Sequence, residues 1–234
     1  MKIGILQCDH VLEQFQSQFG NYPEMFQSLM RQINPDLEFR VYDVQHQMLP
    51  ADIDECDGYI TTGSRHSIYE KLDWIVALEQ FIQHLNQAKK KCVGVCFGHQ
   101  LIARILGGVI EKSPRGWGIG MATYPVLEPL SWMVPSQNQL AVVVSHQDQV
   151  SVLPENMRVL AGNDFCPYFM LQYQQHFMTI QGHPEFSQDY AATLINYRRK
   201  RIPEERVASA LTSLKEPADD EILMRWILRF LAAK

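Results

Sequence analysis

From Lys2 to Leu106, short apolar runs alternate with longer segments whose apolar residues recur every three or four positions. Lys2–Gln7 predicts a first strand. Pro23–Ile33 places Met25, Phe26, Leu29, Met30 and Ile33 at helical spacing. Leu37–Val44 alternates as a half-buried strand does. Gly58–Thr61 is a short apolar run closed by the turn signal Thr62-Gly63-Ser64. Ile75, Leu78, Phe81, Ile82 and Leu85 share one face of a helix predicted over Trp74–Lys91, whose lysine-rich end suits the negative pole of the helix dipole. Cys92–Cys96 predicts a buried strand, and Phe97–Leu106 a helix stopped by Gly107-Gly108.

Helical spacing then disappears until about Ile180. Val109–Glu111, Ile119–Val126, Leu140–Ser145, Arg158–Ala161, Tyr168–Tyr173 and Phe177–Ile180 all predict strands. Ser187–Arg201, Glu204–Leu214 and Asp219–Ala232 return to helical spacing, with Pro203 and Pro217 between them. Strand–helix alternation in the first half points to an α/β fold: a central, mostly parallel (mixed) sheet with helices on both faces. The strand-rich middle is expected to extend that sheet and add a small antiparallel extension. No repeat, low-complexity stretch or Gly/Ser linker interrupts the chain, so a single domain over 1–234 is expected, with the C-terminal helices of 187–234 part of it.

Composition changes the picture little. Of 234 residues, 46% are hydrophobic and 20% charged, as in ordinary globular chains that need no disulfide or metal staple. A net charge of −5 argues against nucleic acid as the partner. The five cysteines cannot all pair with one another, and none sits in a CxxC zinc spacing, which points to a reducing cytoplasm. The first residues, MKIGILQCD, lack a signal-peptide pattern, and no apolar run is long enough to span a membrane.

Chemistry concentrates in two segments. Gly94-Val95-Cys96-Phe97-Gly98 lies where the buried strand meets a helix and is the thiol version of the Gly-x-Ser-x-Gly elbow. Glycines on both sides of the sharp turn remove side chains that would strike neighbouring backbone. The helix start favours thiolate, and its free N–H groups, that of Phe97 above all, can hold an oxyanion. An isolated cysteine is usually a small core residue, and Cys8, Cys56, Cys92 and Cys166 keep that reading. The second segment, Gly182-His183-Pro184-Glu185, offers the base such a nucleophile needs. With extended backbone, Glu185 would face the same side as His183 and fix its tautomer. Alone, His-Pro-Glu after a strand is an ordinary polar turn; its weight comes from the accompanying elbow.

Together, Gly94-Val95-Cys96-Phe97-Gly98-His99-Gln100 and His183-Pro184-Glu185 resemble the signature of class I glutamine amidotransferases, including the spacing between them. Thr61-Thr62-Gly63-Ser64 falls where that family has its oxyanion loop. Ser145-His146-Gln147-Asp148 is similar to a segment of GMP-synthetase-like members. Gly116-Trp117-Gly118-Ile119-Gly120 is similar to a stretch of stand-alone members such as plant γ-glutamyl peptidases. The resemblance implies a flavodoxin-like fold and a cofactor-free, metal-free amide hydrolysis. Cys96 would attack the γ-amide carbon, His183 would carry the proton, and Glu185 would orient His183. Gly63 and Phe97 N–H groups would hold the oxyanion. Gln100 would contact the bound glutamyl group, and backbone at Ser145 and His146 its α-amino acid end. The family's usual Gly-Gly-Pro loop is Thr62-Gly63-Ser64 here, so a less rigid loop is expected. The residues after Ser187 are too few for a synthetase module, so ammonia either passes to a separate synthetase partner or is released.

The expected substrate is therefore a small molecule: glutamine, or alternatively a glutathione-like γ-glutamyl conjugate. A non-catalytic binding module of the same fold is the remaining alternative. His99 is expected to be structural. His146 and Asp148 stand between substrate binding and turn capping. The run Arg198-Arg199-Lys200-Arg201 is a solvated helix end or a dock for an anion or partner. Ile222, Trp226, Ile227 and Phe230 form an apolar stripe expected in the core.

Overall fold

The computed structural model describes residues 1–233. Its central sheet is built from β1 (Lys2–Gln7), β2 (Glu38–Asp43), β3 (Gly58–Thr61), β4 (Cys92–Val95), β9 (Met157–Ala161), β10 (Met170–Tyr173) and β11 (Phe177–Ile180), in the order β2-β1-β3-β4-β11-β10-β9. Pairings from β2 to β11 are parallel; β10 runs antiparallel to both neighbours. The 2-1-3-4 start is the flavodoxin-like order, with β11 taking the fifth place.

Side-chain alternation along these short strands divides the core in two. Ile3, Ile5, Ile60, Val93, Val95, Met178 and Ile180 pack with Phe26 and Met30 of α2 (Tyr22–Ile33) and with Met224, Trp226 and Ile227 of α7 (Asp220–Ala232). Leu6, Tyr59, Cys92, Leu171 and Phe177 pack on the opposite face. Their partners are Leu78, Phe81 and Ile82 of α3 (Asp73–Gln87) and Leu101 and Ile102 of α4 (Phe97–Ile105). An Asn21–Glu24 capping box starts α2.

The middle of the chain forms two ribbons where one was expected. β6 (Gly118–Pro125) pairs with β7 (Gln139–His146), and β5 (Val109–Lys112) pairs with β8 (Asp148–Val152), both antiparallel. One residue, Gln147, separates β7 from β8. It redirects the chain between ribbons, and its carbonyl accepts from the Ser113 amide at 2.8 Å. β8 escapes sequence reading because it continues an extended run, with only Val150 and Val152 to mark it. α1 (Glu13–Phe19) also escapes: it buries no residue and has no side-chain cap. The Trp74–Lys91 helix ends at Gln87, and the Tyr168–Tyr173 strand starts at Met170. α5 (Gln188–Arg198) and α6 (Glu204–Ser213) pack Tyr190, Leu194, Ile195, Val207 and Ala210 against Val143 and the outer face of the β6–β7 ribbon.

Of the C-terminal stripe, Trp226, Ile227 and Phe230 are buried, and the Trp226 indole N–H donates to the Pro135 carbonyl at 2.8 Å. Trp226→Ala is expected to lower unfolding free energy by roughly 3–5 kcal/mol, the usual cost of emptying an aromatic core position. Urea denaturation followed by fluorescence measures it, and a cost under about 1 kcal/mol would show that α7 is not part of the cooperative core.

Candidate active site

The parallel pairing of β4 with β11 brings distant residues together. Val95 lies opposite Ile180, and the Cys96 amide donates to the Ile180 carbonyl at 2.8 Å. Beyond those strand ends the chain turns twice, once into α4 at Cys96 and once through Gly182 to His183. Cys96 has φ 49° and ψ −92°, a strained backbone for a residue with a side chain. The flanking glycines are required as expected. A Cβ on Gly98 would lie 1.7 Å from the Thr61 hydroxyl, and one on Gly94 would lie 2.7 Å from the Gly98 carbonyl oxygen.

His183 is fixed on three sides. Its amide donates to the Val143 carbonyl at 2.8 Å, its ring stacks on Phe186 at 4.0 Å, and Nδ1–H donates to Glu185 Oε1 at 2.8 Å. The local backbone differs from the extended form expected. His183 to Phe186 is a turn closed by the Phe186 amide on the His183 carbonyl, and that turn carries Glu185 back to the ring. Burial alone would lower the imidazole pKa. The Glu185 charge, and the charge that Cys96 can carry, outweigh burial and raise it. His183 therefore binds a proton firmly, next to the only cysteine at a strand-to-helix elbow.

Gly63 packs against both groups: a Cβ there would lie 2.6 Å from His183 Cε1 and 3.5 Å from Cys96 Cβ. Among the described residues the Gly63 N–H has no hydrogen-bond acceptor. Phe97 opens α4, so its N–H has no intrahelical acceptor either. The Thr62 hydroxyl accepts from the Cys8 amide at 2.9 Å and donates to the Gly63 carbonyl at 3.0 Å.

A cavity of about 230 Å³ opens onto Cys96, His183, Gly63, Phe97, Gln100, Ser145 and His146, so every predicted catalytic or substrate-binding residue except Glu185 lines it. Glu185 sits behind the ring, with its Oε2 buried and unpartnered. The Gln100 side-chain amide donates to the Asp148 carbonyl and to Gln181 Oε1. Gln181 in turn donates to Cys96 Sγ at 3.5 Å. Sequence reasoning passed over Gln181, which carries no motif of its own and reaches the sulfur only because β11 adjoins β4.

His146 Nδ1–H donates to the Asp148 carbonyl, and burial pushes its pKa down to about 4, leaving a neutral ring whose Nε2 has no protein partner. His99 is fully buried on Thr179, and burial lowers its pKa to about 3, which suits the structural role expected. Elsewhere His10, Asp43 and His46 bring three potential metal ligands together, but Asp43 Oδ2 already hydrogen-bonds both imidazoles.

The raised His183 pKa has a direct check. Removing the Glu185 charge takes away a contribution that favours imidazolium, so in Glu185→Gln the ring should lose its proton at lower pH than in wild type. Ring-resolved NMR titration of His183 measures this, and an unchanged midpoint would mean that Glu185 does not hold the proton.

Comparisons with known proteins cover the same elements. A sequence model described as Glutamine amidotransferase class-I matches residues 21–196. Gamma-glutamyl peptidase 3 of Arabidopsis thaliana is 31% identical over 214 residues, 88% of this chain and 86% of the relative. The glutamine-hydrolyzing GMP synthase of Pasteurella multocida is 26% identical over 226 residues, 88% of this chain but 42% of the synthase. The crystal structure of a glutamine amidotransferase from Thermotoga maritima superposes with a TM-score of 0.76 at 17% identity, covering 99% of this chain and 96% of that one, a likeness of fold. Since the matched span runs from before the Thr62-Gly63 turn to beyond Glu185, the chain belongs to the class I glutamine amidotransferase family.

Proposed function

We propose that this protein hydrolyses γ-glutamyl amide bonds, with Cys96 as nucleophile, His183 as proton carrier and Glu185 as its orienter. The observation that carries the reading is the buried imidazole beside Cys96, held by Glu185 at 2.8 Å, with its affinity for a proton raised. His183 takes the thiol proton as sulfur attacks the γ-carbonyl carbon, forming the C–S bond. The carbonyl oxygen becomes an oxyanion, which the free N–H groups of Gly63 and Phe97 would hold. The C–N bond breaks, and the leaving amine takes the proton from His183. Water then gives its proton to His183 and attacks the thioester, releasing glutamate. Thiolate leaves and recovers the proton.

Glutamine is the simplest substrate, and ammonia would then pass to a synthetase partner or to solvent. The second reading, a γ-glutamyl peptide, is favoured by likeness to a gamma-glutamyl peptidase along 86% of that protein's length. Five buried free thiols fit a reducing, cytoplasmic setting. No helix among the described residues is long and apolar enough to cross a membrane.

Release of ammonia from glutamine, or of amine from a γ-glutamyl dipeptide, should fall by about 10³-fold or more in Cys96→Ala. An electrophilic glutamine analogue should label Cys96 and no other cysteine, read by peptide mass spectrometry. Equal turnover by wild type and Cys96→Ala would overturn the reading. Glutamine binding without labelling would favour a binding module instead.

A further inference from the structure

The basic run at the end of α5, ambiguous in the sequence, resolves into two kinds of residue. Arg199 points outward and pairs with Glu204. Leu194 and Arg198 share a face of α5 at i, i+4, Arg201 ends the 3-10 turn that follows, and all three line the cavity that holds Cys96. Arg198 is held in place: its guanidinium donates to the Ser145 hydroxyl at 2.9 Å and lies over the Trp117 ring at 6.0 Å. Lys112, at the end of β5, lines the same cavity.

Charge balance makes this wall unusual. Among the described residues, Arg198, Arg201 and Lys112 have no carboxylate within salt-bridge distance, whereas Arg65, which lines the same cavity, is paired with Asp9. The one acid lining the cavity, Asp148, already accepts from the Ser67 and Tyr69 hydroxyls. A chain of net charge −5 thus keeps three uncompensated cations around this opening. Bound glutamine is a zwitterion with no net charge and a neutral leaving group. A γ-glutamyl peptide carries an additional carboxylate, at the end of the part that leaves. Planar guanidinium groups grip carboxylates in paired hydrogen bonds, and their field in a cleft concentrates anions.

We propose that Arg198, Arg201 and Lys112 form a carboxylate subsite for the leaving group, selecting γ-glutamyl peptides that end in a free carboxylate. The subsite rests on the γ-glutamyl reading for its place in the reaction. Its ligand chemistry is separable, because it holds the end of the substrate remote from the cleaved bond. That end is attached by one or two residues, each adding about 3.8 Å of reach.

The test compares three compounds on the full chain: γ-glutamyl-alanyl-glycine, the same peptide with a C-terminal amide, and glutamine. Wild type should favour the free acid over the amide by about tenfold or more in kcat/KM, and the preference should shrink as salt rises. In Arg201→Gln, and further in Arg198→Gln/Arg201→Gln, the acid-to-amide ratio should collapse toward one. Arg201 is exposed, and its side chain makes no hydrogen bond or ion pair among the described residues, so its single variant keeps the test independent of folding. Equal use of acid and amide by wild type would overturn the proposal. So would a loss in the variants that is equal for all three compounds, since that would put the arginines at the glutamyl end. If no compound is turned over, calorimetric binding of the acid and amide peptides to Cys96→Ala decides the subsite alone. A tenfold preference for the acid that disappears on adding Arg201→Gln supports it, and equal affinity ends it.

Discussion

Where β4 and β11 end side by side, the amide of Cys96 donates to the carbonyl of Ile180, and everything chemical about the molecule is hung from that pairing. Parallel neighbours present their carboxyl ends together, so the residues that follow each strand are neighbours whatever their separation in sequence. The crossing from β4 to β11 takes in α4, both ribbons and β9–β10 before the chain returns. A one-residue slip of β11 would turn Met178 and Ile180 out of one core half and move His183 away from the thiol. The same burial that fixes the register therefore fixes the site.

The elbow adds a local constraint to this global one. Positive φ at a cysteine costs about 1–3 kcal/mol and persists only where the surroundings determine it. Here they do so through close packing: Thr61 fills the space above Gly98, and its hydroxyl accepts from the Val95 amide at 3.1 Å. Thr61 thus ties the last residue of β4 to β3 just before the chain turns. Thr62, the next residue, ties the Gly63 turn to Cys8 after β1. Two adjacent threonines stabilise the two sides of the opening, and a glycine in place of Thr62 would lack the hydroxyl that accepts from the Cys8 amide.

Much of this was legible in the sequence because it rests on local patterns. The first strands and helices follow from periodicity, and the elbow follows from two glycines around a cysteine at a strand–helix junction. His183 was legible as a motif, but its meeting with Cys96 was not, since adjacency of β4 and β11 is a long-range pairing that periodicity does not encode. Glu185 was found for an incomplete reason: the residue two after His183 does reach the ring, but through a turn. β8 was hidden because Gln147 bends the chain without a glycine or proline to announce it. Gln181 was hidden because its hydrogen bond to Cys96 arises only between strands. The basic run at the end of α5 showed its composition but not that Arg198 and Arg201 line the cavity while Arg199 turns to Glu204. That division depends on where α5 lies against the β6–β7 ribbon.

Three of the four buried histidines show how one environment yields different electrostatics. His99, His146 and His183 are all withdrawn from water, which by itself disfavours the charged imidazole. His99 meets a threonine hydroxyl and His146 a backbone carbonyl. Both partners are neutral, and both rings stay unprotonated. His183 alone meets a carboxylate, and in the same low-dielectric surroundings that contact, together with the charge Cys96 can carry, reverses the sign of the shift. Burial therefore does not set the character of the site by itself; it amplifies whichever neighbour the fold supplies. Arg198 and Arg201 line the same cleft without a salt-bridged acid, and being nearer solvent they act on an entering anion through a field that salt weakens.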